Sequence, residues 1–205
     1  MDNQKKINLG CGTTIAPGWI NIDVSYNIYL SKLPFLKWIL YKTFLIPKTV
    51  YETNWPPGIM RHDLRKGLPY DDNSINYIYT SHFLEHVERD EAISIIKECY
   101  RVLKPQGVIR IVVPDFELLV DKYVKKDLNV DGFLNALEMV SKKRFFKFLY
   151  SKDRHKWMYD FHSLNKLLII CGFKHIMRKK FRESIVPDVN ILDNRKESLH
   201  VDAQK

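Results

Sequence analysis

INLGCGTT, residues 7–14, is the stretch on which the reading of this chain turns. Ile7 and Leu9 alternate with Asn8 as in a short strand, and Gly10 and Gly12, separated only by Cys11, break it. Glycine tolerates backbone angles that other residues resist. The pair therefore serves either a tight turn or a stretch of bare backbone against which a ligand lies, and the glycines alone do not choose.

Outward from this turn, strand and helix signals alternate. Residues 5–9 and 19–23 read as short strands, separated by the glycines and TTIAPG. A strand over 60–64 leads into the loop RKGLPYDDNS, and INYIYTSHFLEHV (75–87) carries a β-rich segment into the start of a helix. Across 89–103, Ala92, Ile96, Cys99 and Leu103 recur at helical spacing until KPQG ends the pattern. VIRIVVPD (108–115) reads as a strand in a sheet interior. Residues 116–124 and 133–149 read as helices. SLNKLLIICGF is read as a helix with Ser163 as its cap and Gly172 as its stop. FKHIMRKKF and ESLHVDAQK read as late strands. Such alternation favours a mainly parallel sheet covered on both faces, with ligands at the carboxyl ends of its strands.

Composition narrows the function classes. The chain has 205 residues and a formal net charge of +9, which suits an anionic partner without selecting nucleic acid, lipid or small molecule. Cys11, Cys99 and Cys171 are far apart and lack metal-ligand spacing, as expected of reduced thiols in a cytoplasmic protein. No apolar signal region opens the sequence. The apolar stretch LPFLKWILYKTFLI (33–46) is too short to span a bilayer and is interrupted by Lys37 and Lys42.

Five pieces, INLGCGTT, NIDVS, HDLRKGLPYDDNSINYIYTSHFLEHV, ECYRVLKPQGVIRIVVPD and LLIICGF, occur in an order that resembles a class I S-adenosylmethionine-dependent methyltransferase. The resembled group is the methyltransferase-domain type that includes enzymes acting on small molecules and lipid quinones. The chain's late DNRKESLHVDA is similar to members associated with polysaccharide biosynthesis. The resemblance implies an α/β, Rossmann-like fold: a mostly parallel seven-stranded sheet with an antiparallel last strand and helices on both faces. It implies one domain over 1–205, with insertions at about 28–58 and 117–155.

It also implies roles. S-adenosyl-L-methionine is the expected cofactor. Asn8, Gly10, Cys11 and Gly12 would line its methionine portion, Asp23 would take the ribose hydroxyls, Asp63 and Leu64 would flank the adenine, and Ser81 would close the site from the fourth strand. Asn8 stands where many relatives carry an acid, and Thr14 where they carry a third glycine. The short spacing from the glycines to Asp23 leaves room only for a turn or abbreviated helix at 13–16, and argues against NAD. For the chemistry, His86 is the first choice of base, followed by His82, because imidazole titrates near neutral pH. Asp115 would orient a hydroxyl or cap the next helix. His155, Trp157, Tyr159, His162 and Arg195 would contact the acceptor.

HFLEH (82–86) also matches an inverted zinc-protease pattern. That reading needs both histidines on one helical face, whereas His82 is expected at a strand end, so no metal is expected. The acceptor is expected to be a small hydroxyl-bearing molecule such as a nucleotide sugar or glycan. RNA or other nucleic acid is the alternative, carried by the charge and by KKRFFKFLY (142–150). No Asn-Pro-Pro-Tyr-like run follows the fourth strand, so no specific nucleic acid is expected. A non-catalytic partner protein with the same fold is the further alternative. The first insertion suits a lid, a dimer contact or a peripheral membrane helix, in a monomer or homodimer.

Overall fold

The computed structural model describes residues 4–138 and 154–205. Seven strands form one sheet in the order β3-β2-β1-β4-β5-β7-β6. They are β1 (Lys6–Leu9), β2 (Ile20–Asp23), β3 (Met60–Arg61), β4 (Ile75–Ser81), β5 (Leu103–Pro114), β6 (Lys174–Lys179) and β7 (Ser198–Gln204). The pairings from β3 through β5 are parallel, and β7 runs antiparallel to both β5 and β6.

Side-chain alternation along the central strands sorts the apolar residues into two cores. Ile75 and Ile78 of β4, with Ile109, Ile111 and Val113 of β5, belong to the larger one. α4 (Arg89–Val102) and α7 (Phe161–Ile170) cover it with Ile95, Ile96, Cys99, Leu164 and Leu168. Tyr79, Val108 and Val112 point the other way, against Ala16, Trp19 and residues Val189 and Leu192 of α8 (Val189–Leu192). Both faces are thus covered, as alternating strand and helix signals require.

Several boundaries differ from expectation for local reasons. The strand expected over 60–64 stops at Arg61, because Asp63 caps a 3-10 turn, Leu64–Lys66, through the Arg65 amide. Of the turn or abbreviated helix expected at 13–16, the structure has the turn, closed by Thr14 N donating to the Cys11 carbonyl at 3.0 Å. α7 is capped by Asp160 rather than Ser163: the Asp160 carboxylate accepts from the Ser163 amide at 2.7 Å, and the Ser163 hydroxyl accepts from the Asp160 amide at 3.2 Å. Gly172 does follow this helix with φ +98°. The first expected insertion folds as α1 (Asn27–Leu30), α2 (Pro34–Lys42) and α3 (Lys48–Glu52). The second contains α5 (Phe116–Val124) and α6 (Val130–Ala136). The helix expected at 133–149 falls mostly outside the described residues, as does KKRFFKFLY.

All three cysteines are free and buried. Among the described residues, no helix is long and apolar enough to cross a membrane.

Candidate functional site

β1 sits between β2 and β4, so the chain leaves the carboxyl ends of β1 and β4 in diverging directions and opens a crevice there. A cleft of about 280 Å³ occupies this position, near the lower edge of the roughly 300–1,000 Å³ typical of small-molecule sites. Three segments line it: Asn8 in β1 with Gly10–Thr14 after it, Tyr79 and Ser81 in β4 with His82 after it, and Leu192 at the end of α8 with Asn194 and Arg195 after it.

The glycine turn is held by short hydrogen bonds. Gly10 and Gly12 have φ of +64° and +52°. The buried Asn8 amide donates to the Thr14 carbonyl at 2.9 Å and to Asn21 Oδ1 at 3.1 Å. A carboxylate in its place would have no proton to give, which accounts physically for an amide at this position. Gly12 N donates to Asp23 Oδ2 at 2.9 Å, and Ser25 N donates to Asp23 Oδ1 at 2.8 Å. Asp23 therefore stands directly behind the turn, outside the lining of the cleft. Thr14 Oγ1 accepts from Asn194, tying the turn to the opposite wall. Burial and the Asp23 charge push the Cys11 thiol up to about 12, so it is no nucleophile.

The Asn194–Arg195 wall is anchored by a group that sequence reasoning missed. Arg110, fully buried in β5, donates to both Asp193 oxygens, at 3.1 and 2.6 Å, and to Asp202 at 2.8 Å. Tyr79 Oη donates to the Leu192 carbonyl at 3.0 Å. The available signal was a lone arginine inside VIRIVV, because a buried cation requires carboxylates nearby.

His82 ends β4 with φ +50° and lines the cleft. Its Nε2 lies 2.9 Å from Ser198 Oγ, and its Nδ1 lies 3.1 Å from Oε1 of the fully buried Glu85. His86, the expected first choice of base, is outside the lining, in a 3-10 turn, Leu84–His86. With His82 at a strand end, the two histidines do not share a helical face, and the protease reading fails on geometry.

The remaining expected residues are placed as follows. Asp115 caps α5 through the Leu118 amide and pairs with Arg178, so its carboxylate is engaged away from the cleft. Asp63 pairs with Arg65 at 2.6 Å, and Leu64 is buried beside it. The segment carrying His155, Trp157 and Tyr159 lies against the Leu84–His86 turn: Lys156 N and Trp157 N both donate to the Glu85 carbonyl, and Phe116 N donates to the Tyr159 carbonyl. The His86 and His155 rings meet edge-on at 5.1 Å, and Trp157 stacks under the Arg89 guanidinium at 4.8 Å. Burial lowers the basicity of His155 and raises the Tyr159 phenol to about 12. His162 is exposed on α7, whereas Arg195 lines the cleft.

Residues 45–111, about a third of the chain, match a family model described as a methyltransferase domain. A demethylmenaquinone methyltransferase of Staphylococcus epidermidis is 28% identical over 133 residues, covering 58% of this chain and 49% of the relative. The chain thus spans about half the length of the curated relatives it matches. Among solved structures, an S-adenosylmethionine-dependent methyltransferase from Methanosarcina mazei aligns with a TM-score of 0.53 at 17% identity, over 100% of this chain and 94% of that one. Another from Archaeoglobus fulgidus gives 0.52 at 14%, over 98% and 86%. Strand order, the crevice between β1 and β4 and these likenesses agree on one architecture: the chain has the fold of the class I S-adenosylmethionine-dependent methyltransferases.

Proposed function

We propose that this protein transfers a methyl group from S-adenosylmethionine to a hydroxyl of a small polar acceptor, of the sugar or glycan class, with His82 as the base. The observation that carries this reading is the placement of His82 on the same cleft as the positive-φ glycine turn, its ring spanning Ser198 and buried Glu85.

The residues present fit such a donor. A side chain added at Gly12 would meet nothing within 4 Å, so glycine leaves open space where the donor would lie. Arg195 supplies a cation for an amino-acid carboxylate, and the Asp23 oxygens retain lone pairs for ribose hydroxyls. When bound, S-adenosylmethionine supplies an activated methyl on a positively charged sulfur. The protein's task is then alignment and proton removal. Glu85 favours the proton on Nδ1 of His82, leaving Nε2 as the basic atom. In the free protein Nε2 takes its hydrogen bond from Ser198 Oγ, and the acceptor's hydroxyl proton would pass to the same nitrogen.

Calorimetry with S-adenosylhomocysteine, together with a methyl-transfer screen that begins with nucleotide sugars, tests this assignment. Asp23→Ala is expected to weaken donor binding about 10- to 100-fold, the equivalent of losing a charged hydrogen bond. His82→Ala is expected to keep donor affinity and abolish turnover. Equal loss of donor binding in both variants would remove His82 from the role of base.

A second reading of the acceptor is favoured by the region 27–52. There Phe35, Trp38 and Phe44 are 72%, 45% and 89% exposed, while Lys37 is buried and donates to the Thr53 carbonyl. Such a surface suits a peripheral membrane contact and an acceptor with a lipid tail, in line with the quinone named for the Staphylococcus relative. Flotation with anionic vesicles, lost on Phe44→Ser, would favour it over a freely diffusing sugar.

A further inference from the structure

Next to His82, three residues from two separate stretches of chain converge. Glu85 and His86 lie in the turn after β4, and His155 lies in the segment stapled onto that turn by the Glu85 carbonyl. One ligating atom from each lies within 4.8 Å of the other two.

Hydrogen bonding in this cluster is incomplete. The fully buried Glu85 has His82 Nδ1 3.1 Å from its Oε1, while its Oε2 has no hydrogen-bond partner among the described residues. The His155 side chain is 7% exposed, and its buried Nδ1 has no hydrogen-bond partner among the described residues. Arg89, the nearby cation, stacks on Trp157 and makes no ion pair with Glu85 among the described residues. Buried polar groups are ordinarily paired, and a buried carboxylate almost always is. Two atoms on adjacent ligand-type side chains, Glu85 Oε2 and His155 Nδ1, have no partner among the described residues and point to something that completes them.

The opposite ring nitrogens are already supported. His86 Nδ1 faces the Arg154 carbonyl at 3.4 Å, and His155 Nε2 faces Glu138 Oε2 at 3.7 Å. Among the described residues, this leaves Nε2 of His86 and Nδ1 of His155 without a hydrogen bond. Metal-binding histidines have the same arrangement, one nitrogen on the ion and the other directed at a carbonyl or carboxylate.

We propose that Glu85, His86 and His155 bind a divalent transition-metal ion, zinc being the best fit. Two imidazoles and one carboxylate form a donor set used by zinc sites that keep an open fourth position. Iron(II) and manganese take similar sets with more open positions, but zinc imposes no electronic preference on a cluster that must still contract. At Zn–N distances of about 2.0–2.1 Å, tetrahedral ligands lie about 3.4 Å apart. Rotation of the half-buried His86 and of His155 supplies that contraction. The site uses the Glu-His pair of HFLEH but not its first histidine, and its third ligand lies some seventy residues downstream.

The test is independent of methyl transfer. Full-length protein stripped with a chelator is titrated with Co²⁺, read by the visible absorption of four-coordinate cobalt, and with Zn²⁺ in competition with a chromophoric chelator. One equivalent is expected. His86→Ala and His155→Ala should each weaken binding by more than about 100-fold, beyond the 10- to 100-fold typical of removing only an outer hydrogen-bond partner. The exposed His162→Ala should leave affinity unchanged. Circular dichroism establishes that each variant is folded, and if Glu85→Gln is not, the two histidine variants still decide. Three outcomes would overturn the proposal: no saturable uptake by the folded protein, unchanged affinity in both histidine variants, or thiolate-to-cobalt charge-transfer bands that put the ion on cysteine.

Discussion

Two regions that meet at His82 are built on opposite principles. On the glycine side, the polar groups that shape the wall are paired within the protein: Asn8 with Thr14 and Asn21, Gly12 with Asp23, Asn194 with Thr14, and Arg110 with Asp193 and Asp202. On the histidine side, Glu85 Oε2, His155 Nδ1 and the Tyr159 hydroxyl are buried without hydrogen-bond partners among the described residues. The first region is completed by folding. The second keeps desolvated groups in reserve, a cost to stability that is repaid only when a ligand arrives.

This contrast can be broken by substitution, the largest effect being expected on the completed side. Arg110→Met leaves Asp193 and Asp202 buried without their cation and should cost about 3–5 kcal/mol in urea unfolding. A loss below about 1 kcal/mol would show that the two regions do not differ. Gly10→Ala should cost about 1–2 kcal/mol for the left-handed backbone alone, with a further loss because the new methyl would sit 2.9 Å from the Phe83 side chain. Glu85→Gln tests the other region: replacing a buried carboxylate that faces the His82 ring at 3.1 Å should change the stability of the metal-free protein by about 1 kcal/mol, the size of one hydrogen bond.

The smallest effect concerns pH. Burial lowers the basicity of His200, with Arg110 and His82 acting in the same direction and Asp193 opposing them. The folded protein therefore holds His200 neutral at a pH where the unfolded chain, with a histidine pKa near 6.5, already binds the proton. Unfolded molecules take up more protons as pH falls through about 6.5, so stability declines with acidification and recovers above it. His200→Gln should make the urea midpoint less dependent on pH between about 7 and 5. His155 is shifted in the same direction and would retain part of the slope.

What could be read in advance follows from the range of the forces involved. Residues 89–103 marked their helix through apolar spacing, and α4 (Arg89–Val102) lies there with a Glu88–Glu91 capping box, both features belonging to one short stretch. Gly10 and Gly12 marked a turn that does bend through positive φ. Asn8 looked like a departure from pattern, and its use became visible only once the Thr14 carbonyl and Asn21 were within reach. Arg195 was expected against the acceptor, but what places it on the cleft is Asp193 held by Arg110, a pair 83 residues apart in sequence. The turn at Leu84–His86 and the segment near His155 are likewise joined by backbone hydrogen bonds about seventy residues apart. Local periodicity carries no information about such partners.

The position of β7 sets the order of events during synthesis. The last of the seven strands to be made lies between β5 and β6, and its register joins Val108 to Gln204 and Val113 to Leu199. Until residues 198–204 leave the ribosome, β5 presents an unpaired edge rich in β-branched residues and β6 has no neighbour in the sheet. Closure must wait for contacts about ninety residues apart, a topology that slows folding and prolongs exposure to aggregation. A nascent chain is therefore expected to rely on chaperone protection until residues 198–204 have emerged and paired with β5 and β6.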